Sequence, residues 1–284
     1  MTEGVEQCGR SCGLDRGSFV AAHGVSGCVG HADRIARRPQ RRVGAYADPG
    51  VTAADTQLLP TVLAQIPHDP SAFTEGIEIG GANLYESTGL WGHSQLRELD
   101  PATGALRRSV SLPPDYFGEG IAIVGDRIWQ LTYRNGIAIE WDKDTLTVIR
   151  EVPMSGEGWG LCSDGRRLVQ SDGTCRLRFR NAADFVETGS VTVITRTGEQ
   201  LNGLNGLACV DGQVWANIFP TDQIVRIDLA TGLVTAVVDA SGLLPGPRTQ
   251  GQVLNGIAHV DGQIFLLAAK WWPFMFRVRF DPAP

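Results

Sequence analysis

After residue 57 the chain reads as all-β: helix-period apolar patterning is hard to find, and 35 glycines supply the tight turns that many short strands need. A second observation sets how those strands repeat. Five times an acidic or amide residue followed by Gly opens an apolar strand, at Glu75-Gly76, Glu119-Gly120, Glu157-Gly158, Asn205-Gly206 and Asn255-Gly256. About nine to eleven residues further on, each copy reaches an apolar run: Leu84-Tyr85, Ile128-Trp129, Leu168-Val169, Val214-Trp215 and Ile264-Phe265. Repeats of roughly 38 to 50 residues made only of strands and turns indicate radial repetition rather than a sandwich. The predicted fold is a five-bladed β-propeller with four antiparallel strands per blade, over residues 57–284.

Each element of a repeat has its own signal. The first strand carries the polar-Gly pair and ends in a tight turn, Gly80-Gly81, Gly125-Asp126, Asp164-Gly165, Asp211-Gly212 or Asp261-Gly262. Such dipeptides accept the positive φ of two-residue hairpins, so the second strand is antiparallel and adjacent. Third strands appear at 95–99, 137–141, 176–179, 224–227 and 276–280, most of them alternating apolar with polar as half-buried strands do. A further turn, clearest in Asp100-Pro101-Ala102-Thr103-Gly104 and Asp228-Leu229-Ala230-Thr231-Gly232, leads to an outer strand such as 106–112 or 234–238. The fifth copy ends at Asp281 without an outer strand, while Thr61 to Ile66 is strand-like with no repeat before it. Pairing the two ends closes the ring and removes the open edge.

Residues 1–56 differ: they are Arg-rich, at Arg34, Arg37, Arg38, Arg41 and Arg42, without periodic hydrophobicity, and are expected to be a disordered leader. The acidic start (Glu3, Glu6) and a broken apolar run do not make a secretory signal. Cys8, Cys12, Cys28 and His31 have loosely zinc-like spacing without the surrounding pattern of a finger. Cys162, Cys175 and Cys209 fall on or beside strands and read as small buried thiols with no redox motif. No apolar stretch approaches the ~20 residues of a membrane span. A net charge of -6 without a basic stripe gives phosphate backbones nothing to neutralise, so neither membrane nor nucleic acid is an expected partner.

The polar residues of the five innermost strands are expected to converge on one axis. Glu75, Glu119 and Glu157 crowded there would raise one another's pKa, giving a proton shuttle near neutrality; three carboxylates and two amides equally suit a hard cation such as calcium. Phe73, Phe117 and Trp159 lie within two residues of a ring carboxylate, and Tyr133, Phe219 and the run from Trp271 to Phe274 occupy related positions. Lys270, at the end of an apolar strand, either snorkels to solvent or places a cation at the channel mouth.

In order along residues 60–280, the stretches His68-Asp69-Pro70-Ser71-Ala72-Phe73-Thr74-Glu75-Gly76, Phe117-Gly118-Glu119-Gly120-Ile121, Glu157-Gly158-Trp159-Gly160-Leu161, Trp215-Ala216-Asn217, Leu254-Asn255-Gly256 and Lys270 with Trp272-Pro273 resemble the plant and bacterial type of glutaminyl-peptide cyclotransferase. The resemblance implies a five-bladed propeller that converts N-terminal glutamine of peptides and proteins to pyroglutamate with loss of ammonia, without a catalytic metal or cofactor; a structural calcium is left open. It implies Glu119 as the acid/base, Asn205 and Lys270 as catalytic hydrogen-bond and charge partners, and Phe73, Glu75, Phe117, Tyr133, Trp159 and Phe219 as substrate-binding residues. The chain departs from the family pattern at Glu75 (usually Gln), Tyr133 (usually Trp), Gly206 (usually Glu) and Phe219 (usually Trp), which remodels one side of the pocket. Family members are commonly exported, so an exported monomer is the expectation. The rival readings are a non-catalytic propeller that binds peptide ends or a partner protein, and a divalent-metal lactonase or esterase using the Glu/Asn ring.

Overall fold

A computed structural model describes residues 56–244, 246–247 and 249–284, all within one compact unit; the leader with its Cys8, Cys12, Cys28 and His31 lies outside the described residues. These form twenty strands and no helix. They run β1 (Thr56–Pro67), β2 (Thr74–Gly80), β3 (Asn83–Thr88), β4 (Gln95–Leu99), β5 (Leu106–Ser111), β6 (Gly118–Val124), β7 (Arg127–Thr132), β8 (Ile137–Asp142), β9 (Val148–Pro153), β10 (Leu161–Ser163), β11 (Leu168–Gln170), β12 (Arg176–Arg180), β13 (Glu187–Thr192), β14 (Leu204–Val210), β15 (Gln213–Ile218), β16 (Gln223–Asp228), β17 (Val234–Asp239), β18 (Leu254–Asp261), β19 (Ile264–Ala269) and β20 (Phe274–Pro282). Consecutive strands pair antiparallel within β2–β5, β6–β9, β10–β13 and β14–β17, and β18–β20 take β1 as their fourth strand. At the hairpin between β14 and β15, Asp211 and Gly212 both have positive φ, 48° and 74°, as a type I′ turn requires.

Two features differ from the sequence expectation. β1 is longer than 61–66, and its first residues, Thr56 to Leu58, pair in parallel with Ala236 to Val238 of β17 while the rest pairs antiparallel with β20. That overlap fuses what would be two four-stranded sheets into one of eight strands, beside three four-stranded sheets. In the third repeat the innermost strand is only three residues long and starts at Leu161, so Glu157-Gly158 precedes it instead of opening it. Gly158 instead packs in the turn against the Thr132 carbonyl oxygen.

The core is five apolar layers, each between consecutive strand groups. Tyr85, Leu96, Ile128 and Trp141 join the first group to the second; Trp129, Leu131, Leu168 and Phe185 the second to the third; Val169, Leu177, Val214 and Ile227 the third to the fourth. Trp215, Ile224, Phe265 and Phe276 follow, and Ile66, Leu84, Leu99, Leu266 and Met275 pack the last group back onto the first. With both faces of each sheet covered, inner strands such as β3 and β7 are buried along most of their length. The first strands of the five groups touch in turn, β2 with β6, β6 with β10, β10 with β14, β14 with β18 and β18 with β2.

Glycine permits that close approach. A Cβ at Gly120 would meet the Leu161 nitrogen and Trp159 oxygen at 2.6 Å, and one at Gly160 the Asn205 oxygen at 1.9 Å. Between the third and fourth groups, Cys162 of β10 and Cys209 of β14 form a disulfide with Cα atoms 5.6 Å apart. This corrects the reading of both as buried thiols, whereas Cys175 is a free thiol. Adjacent inner strands put the two sulfurs together although 47 residues of sequence separate them.

Candidate active site

Glu75 and Glu119 sit at corresponding positions of neighbouring inner strands, β2 and β6, and side-chain burial leaves them 1% and 5% exposed. The register shifts between Thr74 and Gly76 and between Gly118 and Ile121 mark a bulge at each carboxylate, the device by which a strand re-aims a side chain. The two carboxyl groups are hydrogen-bonded to each other. Glu75 also accepts from Lys270 Nζ at 2.5 Å through Oε1 and from Asn255 Nδ2 at 2.8 Å through Oε2.

Burial pushes both carboxyls above the ordinary carboxylate range. For Glu75 the charge and hydrogen bond of Lys270 oppose that push; for Glu119 the negative charge of Glu75 adds to it and drives its pKa well above the usual value. The charge therefore rests on Glu75, between a cation and an amide donor, and Glu119 keeps its proton.

The loop that carries Lys270 is held by the segment between β1 and β2. His68 Nδ1 bonds the Trp272 carbonyl at 2.9 Å, the His68 amide donates to the Pro273 oxygen at 2.9 Å, and the Trp271 amide donates to the Ala72 oxygen at 2.8 Å. His68 Nε2 bonds buried Glu86 at 2.8 Å, and Arg97 reaches the other oxygen of Glu86 at 3.3 Å. Burial lowers the His68 pKa, but Glu86 outweighs it and holds the imidazolium above its ordinary range. This buried ion cluster fixes the loop from Lys270 to Pro273 against the segment that leads into Glu75.

Aromatic rings stand around the carboxyl pair. Lys270 Nζ lies 4.2 Å from the Phe73 ring centre and 5.8 Å from that of Phe219. Phe73 packs edge-on against Phe117 at 6.0 Å and Trp271 at 4.7 Å, Phe117 meets Tyr133 at 5.7 Å, and Trp159 meets Phe219 at 5.6 Å. Asn205 is buried with its Oδ1 free of any hydrogen-bond partner, and its backbone oxygen accepts from Ser171 Oγ at 2.8 Å.

Comparison with known proteins fits this chemistry. A family model described as glutamine cyclotransferase matches residues 40–280. The chain belongs to the glutamine cyclotransferase family. It is similar, at 33% identity over 229 residues, to the glutaminyl-peptide cyclotransferase of Arabidopsis thaliana, covering 78% of this chain and 71% of that protein. The crystal structure of Myxococcus xanthus glutaminyl cyclase aligns with a TM-score of 0.75 at 34% identity, over 81% of this chain and 100% of that one.

Against this cyclotransferase frame, Glu75, Glu119, Lys270 and Asn205 are buried at one end of the inner strands, with Phe73, Phe117, Tyr133, Trp159 and Phe219 in contact pairs around them. The expected ring of five converging polar groups is not complete. Glu157 lies farther out, 34% exposed, accepting from Arg134 Nε at 2.6 Å and from Trp159 Nε1 at 3.1 Å, because its strand begins four residues later. Among the described residues no group of three or more His, Cys, Asp or Glu side chains is arranged around a common metal position. The sequence places Asn255 in the ring but gives no sign of its role as a donor to Glu75, and it does not single out Arg134 or Trp91. For Trp91 the available signal was a large aromatic set in a turn, Gly89-Leu90-Trp91-Gly92.

Proposed function

We propose that this protein converts the N-terminal glutamine of peptides and proteins to pyroglutamate with release of ammonia, and that Glu119 moves the proton this reaction relocates. The observation that carries the assignment of Glu119 is its burial beside Glu75, a carboxyl that Lys270 and Asn255 already hold, in an aromatic-walled site.

The reaction is intramolecular within the substrate: the free α-amine attacks the side-chain amide carbon of the same residue, so the protein mainly has to hold a cyclising conformer between its rings. As the new C–N bond forms, the attacking nitrogen gives up a proton to the ionised member of the carboxyl pair. The protonated member gives its proton to the amide nitrogen, the old C–N bond breaks and ammonia leaves. The pair ends with the one proton it began with. Lys270 uses one N–H on Glu75 and has others for the oxygen that becomes negative in the tetrahedral intermediate, with Asn205 as a further hydrogen-bond partner. None of these steps calls on a metal or cofactor.

The same reading takes the described fold as a five-bladed propeller whose last blade is completed by β1. Five core layers between cyclically consecutive strand groups, and five inner strands in mutual contact, support it. The Cys162–Cys209 disulfide supports an oxidising, extracytoplasmic compartment. Incubating the purified protein with a Gln-initiated dipeptide in the presence of EDTA tests the activity: ammonia and pyroglutamyl product are expected, and an unchanged peptide mass would overturn it.

A further inference from the structure

One large aromatic at the site has no partner that accounts for its exposure. Trp91 sits in the turn between β3 and β4 and is 55% exposed, although burying an indole is among the largest apolar gains a side chain offers. Its turn is not loose. Leu90 and Gly92 both have positive φ, 86° and 78°, and buried Ser94 donates its hydroxyl hydrogen to the Leu90 oxygen at 2.8 Å while accepting from the Gly118 amide at 3.0 Å. Ser94 thereby ties the Trp91 turn to the start of β6, one residue from Phe117 and one from Glu119. The indole is held 4.9 Å from the Phe117 ring and 6.4 Å from the Tyr133 ring, continuing the aromatic wall outward from the buried carboxyl pair. Beyond it the wall ends in Tyr133, covered on one side by the Arg134 guanidinium at 4.4 Å, itself paired to Glu157 and 62% exposed.

The carboxyl pair is buried and Trp91 stands at the exposed end of the same aromatic wall, so the indole offers a surface to the part of a peptide that follows a glutamine held at the pair. We infer that Trp91, with Tyr133, forms a subsite for the second residue of the peptide and that it favours an apolar or aromatic side chain there. The inference rests on the cyclotransferase reading of the site and adds the substrate class. The chemistry of the rim makes the choice: the surfaces free to be covered are the indole and phenol faces, while the neighbouring Arg134 and Glu157 neutralise each other and leave no net charge to recruit a charged second residue. The anchored turn means little ordering cost on binding, which is how a rigid aromatic adds affinity.

The test compares kcat/KM for Gln-Phe-amide and Gln-Gly-amide in the wild type, Trp91→Ala and Trp91→Tyr. Stacking on the indole together with the apolar area it buries is expected to make the wild type favour Gln-Phe-amide by about tenfold. Trp91→Ala is expected to bring that ratio close to one, chiefly through KM for Gln-Phe-amide, and Trp91→Tyr to restore most of it. A wild-type ratio near one, or a Trp91→Ala loss that falls equally on both peptides, would overturn the subsite. Failure of the cyclotransferase reading is a different result, namely no ammonia from either peptide. In that case calorimetric binding of the same two peptides to wild type and Trp91→Ala still decides the subsite: equal affinities overturn it, and a Trp91-dependent preference for Gln-Phe-amide supports it.

Discussion

Replacing Glu119 by Gln is expected to make the protein more stable as pH rises, while removing its activity. In the folded state Glu119 is buried and faces the charge of Glu75, so its pKa stands well above the ordinary value; in the unfolded chain it titrates near ~4.3. A raised folded value means that the folded state holds a proton the unfolded state has released. The stability this contributes is complete below the unfolded value and declines as pH climbs toward the folded one, by up to about 1.4 kcal/mol per pH unit. Above pH 5 the wild type should therefore lose stability through this group for as long as the pH stays below the folded value. Gln has no proton to release, and its amide can donate to Glu75 as the protonated carboxyl does. Urea unfolding of both proteins at pH 5, 5.5, 6 and 6.5 gives the comparison, with titrating groups remote from the carboxyl pair cancelling in the difference. The advantage of the Glu119→Gln variant should grow with pH across that range, with a slope of at most about 1.4 kcal/mol per pH unit. A difference that stays flat or shrinks would mean that Glu119 is ionised in the folded protein, and the proton-holding pair would fall.

Other outcomes follow from the same geometry. Lys270→Met leaves Glu75 buried without its cation and should cost about 3–5 kcal/mol in chemical unfolding, whereas adding Glu75→Gln should recover most of that loss; strictly additive losses would contradict a buried pair. Glu78, opposed only by the Ile123 amide at 2.8 Å, is pushed by burial to about 8. Wild-type stability should accordingly decline between pH 5 and 8 more steeply than that of Glu78→Gln, and parallel curves would show that Glu78 is not protonated in the fold. Replacing Cys162 and Cys209 together by Ser opens a loop with a sequence separation of 47 and should lower stability by about 4 kcal/mol on the chain-entropy estimate. Wild type in reducing agent should match that double variant, and an unchanged melting midpoint in both would argue against the bond.

Much of the strand plan was legible because strand signals are local. The third strand of the first repeat runs Gln95–Leu99 as its alternation indicates, and the Asp211-Gly212 turn has the backbone its dipeptide calls for. The segment from Thr61 to Ile66 pairs with the C-terminal strand because β19 covers only one edge of that strand and leaves the other open. What could not be read is what depends on distance in sequence. The Lys270–Glu75 ion pair spans 195 residues, and nothing at either position alone separates a paired lysine from one that reaches solvent. The Cys162–Cys209 bond likewise follows from the neighbouring of two inner strands, not from a cysteine motif. Glu157 shows the opposite failure. Its motif matches the other copies, but the third inner strand starts four residues after it, and Arg134 and the Trp159 indole draw its carboxylate to the rim.

The most direct measurement uses a Gln-initiated dipeptide labelled with 15N in the side-chain amide, incubated with wild type or Glu119→Gln in the presence of EDTA and followed by mass spectrometry. Wild type is predicted to release labelled ammonia and leave an unlabelled pyroglutamyl peptide, with the rate reduced on the order of 10²-fold or more in the variant. Peptide left intact by the wild type, or turnover indifferent to the variant, would contradict the assignment of proton transfer to Glu119.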